Sequence, residues 1–435
     1  MAHHSSGPSV TGFARSSQTA SEPFAFPEGF LWGAATASHQ VEGGNRGNDW
    51  WRMEQDGRLP HESGEACRHY ELYSSDFDLA KSMGHNAHRF SIEWSRIEPR
   101  QGEWNEAELE HYVAVIDALR CRGIEPVVTL HHFTNPAWFS QRGGWAREDS
   151  VDFFVRYVQV VATRLASRVR FWVTINEPTV YVKRAYITGD WPPCEPRSWG
   201  RAIRVLRNMC RAHAAAYPVL HRLRPDAMVG LAHSAPYITA CNPSSAADRV
   251  TARLRDFALN DALFMLLGRR PGVVLDFIGL NFYVRQVVCW RPKAGAAMLL
   301  GSECRDDHHG EPRAFTSLGW EIYAPGLRKV LRRFARHGVP LMVTENGIAT
   351  SDEQLRTRYL MAHVESVAEA VRDGVTVLGY FYWTLMDNFE WTEGRNARFG
   401  LVEVDFLTQQ RTVRPVARAY QVVCQSNSIE WTSPR

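Results

Sequence analysis

Two stretches of the chain each end an apolar, strand-like run on a carboxylate beside an asparagine. "FWVTINEP" ends on Asn176 and Glu177 before Pro178, and "PLMVTENG" ends on Glu345 and Asn346 before a glycine. Proline lacks the amide hydrogen that a sheet needs, so the first strand ends where the charge appears. Two carboxylates across one cleft suit cleavage of a glycosidic bond, in which one protonates the leaving oxygen and the other attacks the anomeric carbon or activates water.

Metal catalysis is the alternative chemistry. It needs a cluster of His, Asp or Glu ligands, and the nearest candidates are the adjacent histidines His131 and His132. Neighbouring residues of a strand point to opposite faces, so at most one of the two can enter a site. The eight cysteines stand singly without a Cys-x-x-Cys pair, which argues against a zinc or redox motif and favours buried thiols in a reducing compartment.

The elements that must position these residues alternate between strand and helix. Leu109, Tyr112, Ile116 and Leu119 show the helical spacing, and the same pattern predicts helices near 70–84, 151–166, 201–223, 249–267, 324–336 and 354–372. Strand candidates lie at 30–38, 86–94, 125–132, 171–178, 228–235, 276–283, 340–347 and 377–385. Eight such units predict a closed α/β barrel, a single (β/α)8 TIM barrel, with its active site at the carboxyl ends of the strands. An open doubly wound sheet is the competing architecture, but no G-x-G-x-x-G follows the first strand.

Polar and aromatic side chains recur where the predicted strands end. Any one of them could face water or cap a loop, but carboxylates are rarely buried unless they are paired or hydrogen-bonded. Their convergence in a barrel therefore predicts a binding cleft, in which tryptophan rings would offer flat apolar surfaces to a sugar. The strand-end residues are Gln40, Arg89, Glu93, His131, His132, Asn176, Glu177, His233, Asn281, Tyr283, Glu345 and Trp383.

Composition limits the partners and the compartment. A net charge of +3 over 435 residues, with no basic block, makes nucleic acid an unexpected partner. No run approaches the about 18 apolar residues of a membrane span, and a cytoplasmic location is expected. Residues 1–21 are predicted to be a tag and N-terminal segment outside the fold, 22–425 the catalytic domain and 426–435 a C-terminal tail. The irregular stretch 291–314 is predicted to be a loop on the side where substrates enter.

An ordered set of motifs from about residue 24 to 424 resembles glycoside hydrolase family 1, the retaining β-glycosidases of β-glucosidase type. The motifs are "FLWGAATASHQVEG", "HRFSIEWSRI", "TLHHFTNPAW", "TINEP", "GLNFY", "GWEIYAPGL", "VTENG", "YWTLMDNFEW" and "RFGLVEVD". The resemblance implies hydrolysis of β-D-glucosides or short oligosaccharides, and possible action on fucosides and galactosides, through a covalent glycosyl-enzyme. It implies no metal or organic cofactor.

The resemblance also assigns roles. Glu177 would be the general acid/base and Glu345 the nucleophile, supported by Arg89 and Tyr283. Asn176 would bind the sugar 2-hydroxyl, and Glu390 would disfavour 6-phosphorylated sugars because two negative charges repel. The remaining substrate-binding positions implied are Gln40, His132, Asn281, Tyr283, Trp320, Trp383 and Trp391.

Two positions depart from the family pattern. Phe133 replaces a tryptophan found in many relatives, and His39 replaces a tyrosine. Phe133 cannot donate a hydrogen bond, which predicts looser discrimination among glucose, galactose and fucose. Two further functions stay open at this point, a member that transfers the glycosyl group to a sugar alcohol and a sugar-binding homologue with weak turnover. The oligomeric state is left open.

Overall fold

A computed structural model describes residues 22–268, 274–290, 300–305 and 313–431. Eight parallel strands close into one barrel in chain order, so the predicted closed barrel is confirmed and the open sheet is excluded. The barrel strands are β1 Leu31–Ala35, β2 Ala87–Ser91, β3 Glu125–His131, β4 Phe171–Asn176, β5 Met228–Ser234, β6 Phe277–Asn281, β7 Leu341–Asn346 and β8 Val377–Trp383.

One longer helix follows each barrel strand along the chain. These helices are α1 His69–Ser82, α2 Glu106–Arg120, α3 Ser150–Leu165, α4 Trp199–Leu223, α5 Ala246–Asp256, α6 Pro325–Phe334, α7 Glu353–Arg372 and α8 Pro415–Ser426. Some of these helices begin at a side chain that accepts a hydrogen bond from a backbone amide of the first turn. Asn105 caps α2 in this way, and Asp352 caps α7. The helical pattern in the sequence therefore predicted the type and approximate position of seven of these helices, whereas α8 was not predicted.

Shorter elements occupy the connections. Helical segments lie at Ser38–Val41, Asp49–Gln55, Trp94–Ile97, Ala137–Gln141, Gly144–Ala146, Pro178–Val182, Lys183–Thr188, Phe257–Asp261, Ala262–Leu267, Ala335–His337 and Trp391–Glu393. Three small sheets pair Phe24–Ala25 with Ser428–Ile429, Val402–Val404 with Arg411–Val413, and Arg285–Cys289 with both Tyr237–Ala240 and Ser302–Glu303.

Part of the predicted 291–314 loop is a strand. Ser302–Glu303 pairs antiparallel with Arg285–Cys289, while 291–299 and 306–312 lie outside the described residues. The predicted tag at 1–21 and the end of the predicted tail, 432–435, also lie outside them. Within the described ranges, no helix has the length and apolar character that a membrane crossing requires.

Two apolar layers hold the barrel together. Small and large side chains such as Ala87, Val127, Val173, Phe277 and Phe381 form one buried cluster, which includes Trp383 at the end of β8. A larger cluster packs the helices against the outside of the strands. Alternate strand residues thus serve the two layers, and the site is expected toward the carboxyl ends of the strands.

Candidate active site

The two carboxylates lie at the carboxyl ends of β4 and β7, which β5 and β6 separate in the barrel. Glu345 is the penultimate residue of β7, where the strand register pairs it with Asn281 of β6. Glu177 directly follows β4 and has φ +44°, a left-handed conformation that is uncommon for a residue with a side chain. Pro178 then begins a short helix, so the strand ends at Glu177 as the sequence predicts.

Glu345 is buried between a cation and a hydroxyl. Arg89 Nη1 donates to its Oε1 at 2.6 Å, and the Tyr283 hydroxyl donates to its Oε2 at 2.7 Å. Burial raises the pKa of Glu345, whereas Arg89 and Tyr283 counteract the rise because both stabilise the ionised form. The carboxylate is thus held with both oxygens oriented.

The glycine after the asparagine of "VTENG" follows from close packing. A Cβ at Gly347 would lie 1.9 Å from the carbonyl oxygen of Trp383, which only a residue without a side chain avoids. The motif therefore brings the end of β7 against the end of β8.

Glu177 is buried with a weaker set of partners. Asn281 Nδ2 donates to its Oε1 at 2.9 Å. Burial raises the pKa of Glu177 to about 8, and the negative charge of Glu345 adds to the rise. Glu177 is therefore the carboxyl that holds a proton near neutral pH, while its neighbour has a guanidinium to balance its charge.

Two amides connect the carboxylates. Asn176 Oδ1 accepts from Arg89 Nη2 at 2.7 Å and from Asn281 Nδ2 at 3.1 Å. The same Asn281 amide contacts Glu177, and its Oδ1 accepts from the Thr344 hydroxyl at 2.6 Å. One network thus runs from Glu345 through Arg89, Asn176 and Asn281 to Glu177.

A second polar group lies beyond the end of β8. Gln40 Nε2 donates to Glu390 Oε2 at 3.0 Å, and Trp383 Nε1 contacts the same oxygen at 3.4 Å. Burial raises the pKa of Glu390 to about 8. Gln40 Oε1 has no hydrogen-bond partner among the described residues, so it is available to a hydroxyl group.

His132 carries another unused hydrogen-bonding atom. Asn176 Oδ1 faces Arg89, so its amide nitrogen is the atom that donates to His132 Nε2, at 3.2 Å. This donation puts the imidazole hydrogen on Nδ1, which finds no partner in the described part of the chain. The ring lies nearly parallel to Trp383 and Trp391, at interplanar angles of 19° and 15°.

Trp320 and Phe133 complete the aromatic lining. The half-buried Trp320 ring contacts Tyr283, with ring centroids 5.5 Å apart. Phe133, with φ +70°, packs between Trp191 and Trp391 at centroid distances of 4.7 and 5.4 Å. The residues to which the family resemblance assigns roles thus all connect to this one end of the barrel.

Three strand-end polar residues point elsewhere. His131 contacts Asn135 and Trp145, so only one of the adjacent histidines enters the site, as predicted. His233 packs on Phe264 outside the barrel, and Glu93 accepts from Ser38, Ser95 and Thr134. In the ranges described, no three His, Cys, Asp or Glu side chains come together as metal ligands.

Comparison with known proteins identifies the family. The model of glycosyl hydrolase family 1 matches residues 22–272 and 272–429. The chain belongs to glycosyl hydrolase family 1. Retaining hydrolysis of β-glycosides is the general activity of that family, and the chain is a glycoside hydrolase.

Relatives match this family 1 chain over nearly their whole length. β-Glucosidase A of Thermotoga maritima is 33% identical over 93% of this chain and 99% of its own, and a β-galactosidase of Pyrococcus woesei is 29% identical over 89% and 94%. The solved β-glycosidase from Pyrococcus horikoshii superposes with a TM-score of 0.86 at 41% identity, covering 94% of this chain and 96% of its own.

Several hydrogen-bonding residues of this family 1 site lie inside the quoted motifs, but no role was predicted for them. Thr344 orients Asn281, Thr129 accepts from Arg89 Nε at 3.1 Å, and Asn388 accepts from Gln40. Thr129 lies two residues after Val127 of the inner apolar cluster, so strand alternation places its side chain on the same inward face of β3. Nothing in the sequence signals the contact of Asn388, because it joins positions 348 residues apart.

Proposed function

We propose that the chain is a retaining exo-β-glycosidase that hydrolyses unphosphorylated β-D-glucosides, and also β-D-fucosides and β-D-galactosides. The observation that carries this proposal is the unequal pairing of two buried carboxyls, Glu345 with a guanidinium and a phenol, and Glu177 with an amide. Retention needs one ionised and one protonated carboxyl at a separation of about 5 Å, which we expect for this pair.

In the first step Glu345 attacks the anomeric carbon and Glu177 gives its proton to the departing oxygen. The bond from the anomeric carbon to Glu345 forms as the bond to the leaving group breaks. Arg89 and Tyr283 hold the attacking carboxylate in its ionised form. The product of this step is a covalent glycosyl-enzyme and a free aglycone.

In the second step Glu177, now ionised, takes a proton from water. The water oxygen attacks the anomeric carbon on the face that the aglycone left, and the bond to Glu345 breaks. Asn176 would hold the 2-hydroxyl, a contact that strengthens as positive charge develops on the sugar ring. The released sugar keeps the β configuration.

The glycone assignment follows from the group around Glu390. The donors to its carboxyl are the neutral side chains of Gln40 and Trp383, so a 6-phosphate beside it would meet a carboxyl rather than a counter-charge. Relatives named β-glucosidase and β-galactosidase support an unphosphorylated hexoside. Phe133 offers no donor, which supports a tolerance for fucosides and galactosides.

We also propose that the substrates are small β-glycosides or short oligosaccharides and that the location is cytoplasmic. The eight cysteines stand singly along the sequence with no Cys-x-x-Cys pair, which supports a reducing compartment.

The test of the function is a panel of 4-nitrophenyl β-glycosides: glucoside, galactoside, fucoside, mannoside and 6-phosphoglucoside. We expect turnover of the first three and preference for the unphosphorylated glucoside over its 6-phosphate. A chain that prefers the 6-phosphoglucoside would contradict the glycone assignment.

The test of the mechanism is the substitution Glu345→Gly. We expect hydrolysis to be lost, and added azide to restore cleavage of an activated aryl glucoside with formation of the α-glycosyl azide. Glu93→Gln, at a buried carboxyl outside the network, is the control and should keep the wild-type mechanism. Full activity of E345G without azide would exclude Glu345 as the nucleophile.

A further inference from the structure

A buried histidine precedes Gln40 and has no role in the proposed chemistry. His39 lies in the short helix Ser38–Val41 and is 1% exposed, and its Nε2 is 3.1 Å from Oε1 of Glu54, which is 3% exposed. Glu54 belongs to the segment Asp49–Gln55 and also accepts from the amide and hydroxyl of Ser63. The pair therefore ties together two segments on the cleft side of the barrel.

The neighbouring hydrogen bonds fix which nitrogen of His39 carries the hydrogen. Asn48 Oδ1 accepts from the Trp51 amide at 2.8 Å, so the Asn48 amide nitrogen faces His39 Nδ1 at 3.1 Å. An amide nitrogen can only donate, which makes Nδ1 the acceptor and leaves the hydrogen on Nε2. His39 therefore donates to Glu54, and both ring nitrogens have partners.

The His39 ring lies against the segment that follows β8. It is nearly parallel to the Trp391 ring, at 5.9 Å and 19°, and meets Phe389 edge-on at 6.0 Å. The backbone of the adjacent Gln40 accepts from the Phe389 amide at 3.1 Å. Trp391 has φ +51°, a conformation that costs free energy and persists only where its surroundings hold it.

We propose that His39 and Glu54 form a positioning pair that holds Gln40 and Trp391 in the geometry that binds the glycone. This inference rests on the proposed function, in which those two side chains contact sugar hydroxyls. The hydrogen bond to Glu54 fixes the orientation of the imidazole, and the imidazole in turn supports the indole and the helix that carries Gln40. Neither His39 nor Glu54 contacts the substrate.

The test compares two substitutions at one position. His39→Phe keeps a ring but removes both nitrogens, whereas His39→Gln places an amide nitrogen where it can still donate to Glu54. We expect H39F to lower kcat/KM for 4-nitrophenyl β-D-glucoside about 10- to 100-fold, mainly through KM, because small displacements of binding groups are costly. H39Q keeps the hydrogen bond to Glu54 but loses the ring contact with Trp391, so its loss of kcat/KM should be smaller than that of H39F, about threefold to tenfold.

Monodeoxy glucosides separate positioning from a general loss of stability. The fall in kcat/KM caused by H39F should be smaller for at least one of the 3-, 4- and 6-deoxy glucosides, since Gln40 or Trp391 then has no hydroxyl to bind. It should stay complete for the 2-deoxy glucoside, because Asn176 would bind that hydroxyl. If H39F does not fold, Glu54→Gln takes its place with the same expected pattern.

The matched control is His213→Phe. His213 is a buried histidine whose nitrogens contact Thr174 Oγ1 and the Val274 carbonyl, both at 2.7 Å, away from Gln40 and Trp391. The kinetic constants of H213F should stay within about twofold of those of the wild type. An equal loss on every deoxy substrate, or no loss in H39F, would overturn the positioning role alone. A wild-type protein that cleaves no β-glucoside would instead overturn the proposed function.

Discussion

At the scale of single residues, Glu177 and Glu345 carry the same chemical group in different surroundings. Arg89 offsets the cost of burying a charge on Glu345, while Glu177 has no guanidinium at hydrogen-bond distance in the described structure. The carboxyl that keeps its proton can act as an acid, and the one that loses it can act as a nucleophile. The division of labour thus depends on the neighbours rather than on the carboxyls themselves.

This division predicts the alkaline limb of the pH profile. The pKa of Glu177 is raised to about 8, so kcat/KM for aryl glucosides with poor leaving groups should fall as pH rises through that value. Glu177→Ala should lose most of its activity on such substrates but little kcat/KM on 2,4-dinitrophenyl glucoside, which needs no acid to leave, and its remaining activity should show no alkaline limb.

Glu390 requires its own control, because its pKa is also raised to about 8. Glu390→Gln should bind glucosides more weakly but keep the alkaline limb. If E177A retained the limb and E390Q lost it, the assignment of the acid would be wrong.

At the scale of elements, the segment after β8 carries Glu390 and Trp391 and is anchored by Asp387. This buried carboxylate accepts from Arg414 Nη2 at 2.8 Å, Arg398 Nη1 at 3.1 Å and the Gly400 amide at 2.9 Å. Arg414 directly precedes α8 as its N-cap residue, so the anchor joins the cleft to the outer helical layer.

Removing the anchor should cost both stability and binding. Asp387→Asn leaves two guanidinium groups without their shared carboxylate, and we expect a loss of about 3 kcal/mol in the free energy of unfolding together with a raised KM. Denaturant unfolding and steady-state kinetics measure the two effects. The matched change Asp149→Asn breaks a largely exposed pair with Arg147 and should cost at most about 1 kcal/mol. Equal losses for both variants would contradict the anchoring role.

The elements themselves could be predicted from the sequence because each one repeats a pattern. The run ending at Glu177 and the helical spacing of Leu109, Tyr112 and Ile116 fix an element type within a few residues. Ser302–Glu303 was missed because a strand of two residues has no periodicity to detect. The contact of Glu54 with His39 could not be predicted, since it depends on how two short helices in the connection between β1 and α1 pack on each other.

At the scale of the whole molecule, carboxyls buried for catalysis affect folding. Burial raises the pKa values of Glu177 and Glu390 to about 8 in the folded protein, against 4.5 for an ordinary glutamate. Between those values the folded state binds protons that the unfolded state releases, so the free energy of unfolding falls as pH rises from about 4.5 to 8. The stabilisation that these two protonated carboxyls contribute to the folded state is therefore complete only below about pH 4.5.

Neutral replacements should therefore stabilise the protein in alkaline solution. Glu177→Gln and Glu390→Gln should raise Tm at pH 8.5 by more than at pH 5, as thermal unfolding at both pH values would reveal. A uniform change across pH would argue against raised pKa values.

Glu321 provides a control of opposite sign. Burial acts to raise the pKa of Glu321, but hydrogen bonds from Arg313 and Arg285 lower it below its ordinary value. Its replacement, Glu321→Gln, should lower Tm at neutral pH, because the stabilisation from its ionised form is lost.

The pairing of Phe24–Ala25 with Ser428–Ile429 has a practical consequence. Asn427 also contacts Trp32, at the beginning of β1, so these two strands lie at the amino ends of the barrel strands, opposite the cleft. A solid support or a partner enzyme coupled at this face would leave the entrance turned toward the solution. Immobilisation there should preserve access for bulky aglycones.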